Sequence, residues 1–128
     1  MVFEDERCIA FLDRRPVFYG HTLVIPRVHI ATLPEIPTDL FEPLFAVVQL
    51  ISNAAEHGLG ADGTWISVNN KVSQSVPHVH VHVVPRNFSD GLKGFFWPRQ
   101  RYADDAHMAA TAAALTTAIT HLQTPGRG

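Results

Sequence analysis

The chain has 128 residues, 46% of them hydrophobic and 17% charged, with a formal net charge of −2; that length suits one domain with a real core. No block of like charge occurs, so the concentrated basic patch of a nucleic-acid binder is absent. The single cysteine, Cys8, excludes an intramolecular disulfide and points to a reducing, cytoplasmic setting.

The N-terminus, MVFEDERC, carries acids where a signal peptide needs a basic and then an apolar region. Cys8 opens an apolar run, Cys-Ile-Ala-Phe-Leu, which favours a buried structural thiol over a nucleophile. Arg7 to Leu12 and His21 to Ile25 are short, apolar and partly β-branched; they read as two strands of an antiparallel hairpin around a loop with Pro16 and Gly20. Leu33 to Pro37 carries two prolines and reads as loop. Asp39 and Glu42 resemble a capping box, with Pro43 in the first turn. Leu44, Val47, Val48, Ile51 and Ala55 then recur at helical spacing up to Gly58, a natural stop. Phe41, Phe45 and Leu50 lean to another side of that helix, a second apolar stripe in search of a partner.

Thr64 to Asn69 reads as a strand, and His78 to Val84 as another, ended by Pro85. Asp104 and Asp105 open an alanine-rich helix that runs to about Leu122. Residues 106–126 lack Asp, Glu, Lys and Arg, yet His107, His121 and several threonines make the stretch too polar to span a bilayer, so no membrane partner is expected. The order strand, strand, helix, strand, strand, helix predicts an α+β domain, an antiparallel sheet with helices packed on it. Neither a repeat nor a linker divides the chain, which reads as one domain over 1–128.

The most informative feature is the run His78-Val79-His80-Val81-His82-Val83. In extended chain, residues two apart share a face, roughly 6.5–7 Å between α-carbons. The three imidazoles therefore line one side and the valines enter the core. Two chemistries use such a row. His-x-His on a strand can ligate zinc; a neutral imidazole can also attack phosphorus while its neighbours donate to the phosphate oxygens. Upstream, Val68 to Val76 supplies Asn, Gln and Ser groups and backbone amides, which suit phosphate oxygens and are poor zinc ligands.

The segment Gln74-Ser75-Val76-Pro77-His78-Val79-His80-Val81-His82-Val83-Val84-Pro85-Arg86 resembles the signature of the histidine triad family of nucleotide hydrolases and transferases. Phe11-Leu12-Asp13-Arg14-Arg15-Pro16 and Gly20-His21-Thr22-Leu23-Val24-Ile25-Pro26-Arg27-Val28-His29 are similar to it as well. Arg-Arg-Pro-Val and Val-Val-Pro-Arg resemble its fragile histidine triad branch, and the match runs over roughly residues 3 to 90 in order.

The resemblance implies a five-stranded antiparallel sheet with two helices packed on it, extended across a two-fold homodimer. It implies hydrolysis or nucleotidyl transfer at the α-phosphate of a purine nucleotide, with dinucleoside polyphosphates the first choice and nucleoside phosphoramidates the alternative. It implies that His80 is the nucleophile, that His82 donates to the phosphate or leaving-group oxygen, and that His78 orients His80. Gln74, Ser75 and Asn69 would contact phosphate oxygens, Asp13 the ribose hydroxyls, and Phe11 and Leu12 the base. The covalent step would need no cofactor, although a divalent ion can accompany a polyphosphate. His29 matches a position that holds structural zinc with the first triad histidine in some members. A cysteine pair found in many members is missing, so no metal site is expected.

Two further departures stand out. The turn before Gln74 is about two residues short of the usual and lacks the family's glycine, and Gly94 to Arg99 is an aromatic segment expected in core or interface. Readings from other classes are a non-catalytic nucleotide- or partner-binding sensor, and a metal-binding module using all three histidines. Turnover assays and metal content separate them.

Overall fold

The computed structural model describes residues 1–92 and 99–123, in two compact units, Met1–Gly91 and Leu92–Gly128. The aromatic segment at 94–99 lies outside the described residues but for Arg99.

In the first unit, β1 (Phe3–Glu4), β2 (Cys8–Leu12), β3 (Thr22–Pro26), β4 (Gly63–Ser67) and β5 (Val81–Arg86) form one antiparallel sheet in the order β1-β2-β3-β5-β4. Its connectors are a short 3-10 turn at Leu33–Glu35 and the helix α1 (Thr38–Leu59). Strand alternation divides the sheet's faces. Cys8, Ala10, Val24, Val81 and Val83 point to α1 and are buried against Leu40, Leu44, Val47, Val48 and Ile51. The opposite face carries Phe11, Leu23, Ile25 and His82, each only half-buried. Cys8 is sealed in the core, and burial pushes its thiol pKa up, as suits an inert structural residue. Truncating a core leucine such as Leu44 to alanine would cost about 2–5 kcal/mol.

Several boundaries differ from the sequence reading, each for a local reason. The helix starts at Thr38 with Pro37 as an uncapped N-cap, so Asp39 and Glu42 form no capping box. Asp39 instead sits in the first turn, where its charge favours the helix dipole, 3.6 Å from Arg7. The helix passes through Gly58 and stops at Gly60, whose φ of 69° a side chain would strain; the amides of Gly60 and Ala61 both reach the Ala55 carbonyl. Phe41 and Phe45 pack on the core's edge, so the second apolar stripe reduces to Leu50, 47% exposed.

The triad strand begins at Val81, not His78, because β3 pairs only as far as Val24–Val81 and the Val79 amide turns to the Ile30 carbonyl at 2.7 Å. It continues through Pro85, which pairs with Thr64 in β4 where β3 no longer lies alongside. β4 ends at Ser67, opposite His82, so Asn69 falls outside the strand.

In the second unit, α2 (Asp105–Leu122) is capped as its sequence predicts: the Asp104 carboxylate accepts from the His107 amide at 2.8 Å. None of its residues is buried. Among the described residues, no helix is long and apolar enough to cross a membrane.

Candidate active site

The sheet face turned away from α1 floors a cleft of about 470 Å³. Register explains its composition. Phe11 lies opposite Leu23, and Leu23 opposite His82, so one row crosses β2, β3 and β5 with all side chains on the same face. Asp13, two residues beyond Phe11, and His80 and His78, two and four before His82, extend it, and Ser75 and Val76 close one side. Alternating burial survives ahead of β5: Val79 is 1% exposed while His78 and His80 are half-buried.

The histidines hold a definite proton arrangement, because carbonyls and backbone amides fix which ring nitrogen bears hydrogen. His80 Nδ1 lies 2.8 Å from the His78 carbonyl and must donate to it. The neutral ring then keeps its lone pair on Nε2. His78 Nε2 donates to the Pro26 carbonyl at 2.9 Å, leaving its Nδ1 to accept from His29 Nδ1 at 3.3 Å. A second chain starts in the β2–β3 loop. The Val17 amide donates to His21 Nδ1 at 3.1 Å, so His21 carries hydrogen on Nε2 and donates to His82 Nδ1 at 3.0 Å. His82 therefore bears its own hydrogen on Nε2, a buried atom with no partner among the described residues. A buried donor without an acceptor is costly and marks where a ligand oxygen belongs.

Electrostatics agree with that proton arrangement. Burial lowers the pKa of His21, 4% exposed, although Asp13 at 3.8 Å partly opposes the shift. Burial also lowers that of His82, helped by His80 and His21 and opposed by Asp13. Both rings are thus held neutral near pH 7.

Asp13, His21 and His82 present ligand atoms within 4.8 Å of one another. A cation on His21 Nε2 would require hydrogen on Nδ1, where the Val17 amide already points, so these residues suit a hydrogen-bond relay better than a metal. His29 and His78 likewise lack the thiolates of a four-ligand zinc site, since the chain's single cysteine is buried in the core.

Not every expected residue faces the cleft. Phe11, Asp13, Ser75, His78, His80 and His82 line it. Leu12 does not, because neighbours on a strand point oppositely; it borders a groove beside α1 with Gly20, Ile51 and Leu59. Gly20 there has φ 95°, and an added Cβ would meet Leu59 Cδ1, the end of an exposed side chain. Asn69 is exposed beyond β4 and outside the cleft wall. Gln74 is outside it too: its amide nitrogen donates to the Ala31 carbonyl at 2.6 Å and its oxygen accepts from the Lys71 amide at 2.8 Å. Ser75 faces the cleft and is open to phosphate, whereas Gln74 is already engaged. His21 is the residue that sequence reasoning passed over, since 61 positions separate it from its partner His82. The available signal was a histidine heading a strand that otherwise reads as core.

Comparison with known proteins gives this constellation a lineage. Residues 1–89 match the HIT domain model. Adenylylsulfatase HINT3 of Arabidopsis thaliana is 38% identical over 93 residues, 71% of this chain and 47% of that protein. The asymmetrical bis(5'-nucleosyl)-tetraphosphatase of Schizosaccharomyces pombe is 34% identical over 83 residues, 63% of this chain and 46% of that one. This chain thus spans about half the length of either enzyme. A crystal structure from Streptococcus mutans superposes with a TM-score of 0.81 at 36% identity, covering 92% of this chain and 75% of that one. A zinc-bound histidine triad family protein from Mycobacterium smegmatis gives 0.68 at 38%, covering 91% and 86%. With the HIT model matched over most of its length, this chain belongs to the histidine triad family.

Proposed function

We propose that the protein hydrolyses nucleoside 5′-phosphate derivatives at the α-phosphorus through a nucleotidyl-histidine on His80. The observation that carries this reading is the Nδ1–H bond from His80 to the His78 carbonyl, which leaves the Nε2 lone pair for attack. As the nitrogen–phosphorus bond forms and the bond to the leaving group breaks, His82 Nε2–H donates to the departing atom or a phosphate oxygen. Water then attacks phosphorus and releases a proton to solvent, balancing the one that the departing atom takes up from solvent, and a nucleoside monophosphate and free His80 result. Asp13, on the same face, is the candidate acceptor for ribose hydroxyls, and Phe11, Leu23 and Ile25 form an apolar wall for a purine.

Dinucleoside polyphosphates and nucleoside phosphoramidates both contain the bond at issue. One observation favours the second. The described cleft wall holds one carboxylate, Asp13, and no Lys or Arg, and burial disfavours charge on His82. A neutral or cationic leaving group fits such a wall better than an anionic polyphosphate chain does. The test is a panel of adenosine phosphoramidate, adenylated amines and diadenosine polyphosphates, with mass spectrometry of the quenched protein. Turnover of the panel with adenylated His80 is expected; neither turnover nor adduct on any member would overturn the proposal.

A further inference from the structure

The turn that shapes the cleft's polar side is pinned to a connector some forty residues earlier. Gln74 Nε2 donates to the Ala31 carbonyl at 2.6 Å, and the Leu33 amide donates to Asn70 Oδ1 at 2.8 Å. Gln74 Oε1 accepts from the Lys71 amide at 2.8 Å, so its amide group links both walls of the turn. Between the pins the backbone is strained: Lys71 has φ 69° and Ser73 φ 60°, left-handed values that side chains disfavour. Such a conformation persists only where its surroundings hold it. The next two residues, Ser75 and Val76, are the ones that line the cleft.

We propose that Gln74 and Asn70 act together as a clasp that positions Ser75 and its backbone against the substrate phosphate, with Gln74 a positioning residue that does not itself touch phosphate. The proposal builds on the site reading above and accounts for the shortened turn, in which Ser73 occupies the left-handed position without a glycine. A clasp with two pins has a distinctive energetic signature. Once one pin is lost the turn relaxes, so losing the other costs little more. Two independent phosphate contacts would instead multiply.

The experiment uses the full chain, AMP as the probe, and Gln74→Ala, Asn70→Ala and the double variant. Each single change should weaken AMP binding by about three- to tenfold, the scale of one hydrogen bond, and the double variant should be no weaker than about the worse single. Fold losses that multiply in the double variant would overturn the clasp. Gln74→Glu supplies a pH readout. Its protonated acid can donate to Ala31 and its carboxylate cannot, so its AMP affinity relative to wild type should fall as pH rises through the carboxyl titration. An affinity ratio flat across that range would count against the proposal. Amide hydrogen exchange keeps this separable from the site reading. The amides of Val72 and His78 bond within the turn, to the carbonyls of Asn70 and Val76, and touch neither substituted side chain. Faster exchange at both in either single variant supports the clasp even if wild type binds no AMP, which would count against the site reading alone. Unchanged exchange at both sinks the clasp.

Discussion

Replacing His21 with leucine tests the buried relay most directly. The change removes the donor 3.0 Å from His82 Nδ1 and the acceptor for the Val17 amide, in a position 4% exposed. Two consequences follow at different scales. The Val17 amide loses its partner, which costs about 1–3 kcal/mol of stability. His82 loses the bond that dictates its tautomer, worth about 1 kcal/mol net, so the hydrogen-outward form is favoured about fivefold less. The expected drop in kcat is therefore about three- to tenfold, well short of the hundred- to thousandfold typical when an oxyanion donor is deleted outright. His21→Gln is the control, since its amide can donate to His82 and accept from Val17. Steady-state rates on the phosphoramidate substrate, measured well below the melting temperature, give the comparison, and 15N spectra of labelled histidine report which His82 nitrogen is protonated. If His21→Leu leaves both the rate and the His82 tautomer unchanged, the relay has no function and the assignment of the Nε2 hydrogen is wrong.

His80→Ala should abolish turnover and the covalent adduct while AMP still binds; near-native turnover would reject the nucleophile. His82→Ala should lower kcat by about a hundred- to a thousandfold, measured as a single-turnover rate. Because burial lowers the pKa of His21 and His82, the unfolded chain takes up protons first; stability should hold above about pH 6.5 and fall as pH drops through the folded-state values, seen as a declining Tm. Ser73→Gly should raise stability by about 0.5–1 kcal/mol in a denaturant titration by releasing a left-handed serine, and a loss would contradict the φ of 60°. The homodimer that the family resemblance implied is tested at Leu50, which is exposed, whereas Phe45 also packs on the core: Leu50→Glu should yield monomers by light scattering if that helix face pairs.

Much of this architecture was legible because its signals are local. Alternation in Cys8–Leu12 and the valines of the triad and helical spacing in Leu44, Val47, Val48 and Ile51 follow from backbone period, and the Asp104 cap from a short carboxylate side chain at a helix start. Boundaries set by partners were not. His78 leaves the strand because β5 parts from β3 beyond Val24–Val81 and the Val79 amide turns to Ile30, although β3 itself runs on to Pro26, and the helix passes Gly58 because a better stop lies two residues on. In the site, the triad was plain from spacing, while Leu12 was misplaced by grouping it with Phe11 although alternation puts them on opposite faces. Gln74 shows the harder limit. Its role turns on Ala31, a carbonyl that no side-chain pattern advertises.

His21 shows why fold and chemistry are hard to separate here. A solvent-facing histidine could occupy either tautomer and would take up a proton near pH 6.5. His82 escapes both because β3 is central in the sheet: on one side β2 pairs along its whole length, and on the other Leu23 sits opposite His82. That register brings His21, one residue before β3, into reach of a ring on β5 and seals it from water. The amide that orients His21 comes in turn from the β2–β3 loop, which returns through Gly20 at φ 95°, a backbone conformation that a side chain would strain. A side chain at Gly20 would thus act on His82 at third hand, through the loop, Val17 and His21. Gly20→Ala is expected to lower kcat and Tm together, whereas His21→Gln should lower neither by much; an alanine variant with native Tm and native kcat would break that chain of dependence at its first link.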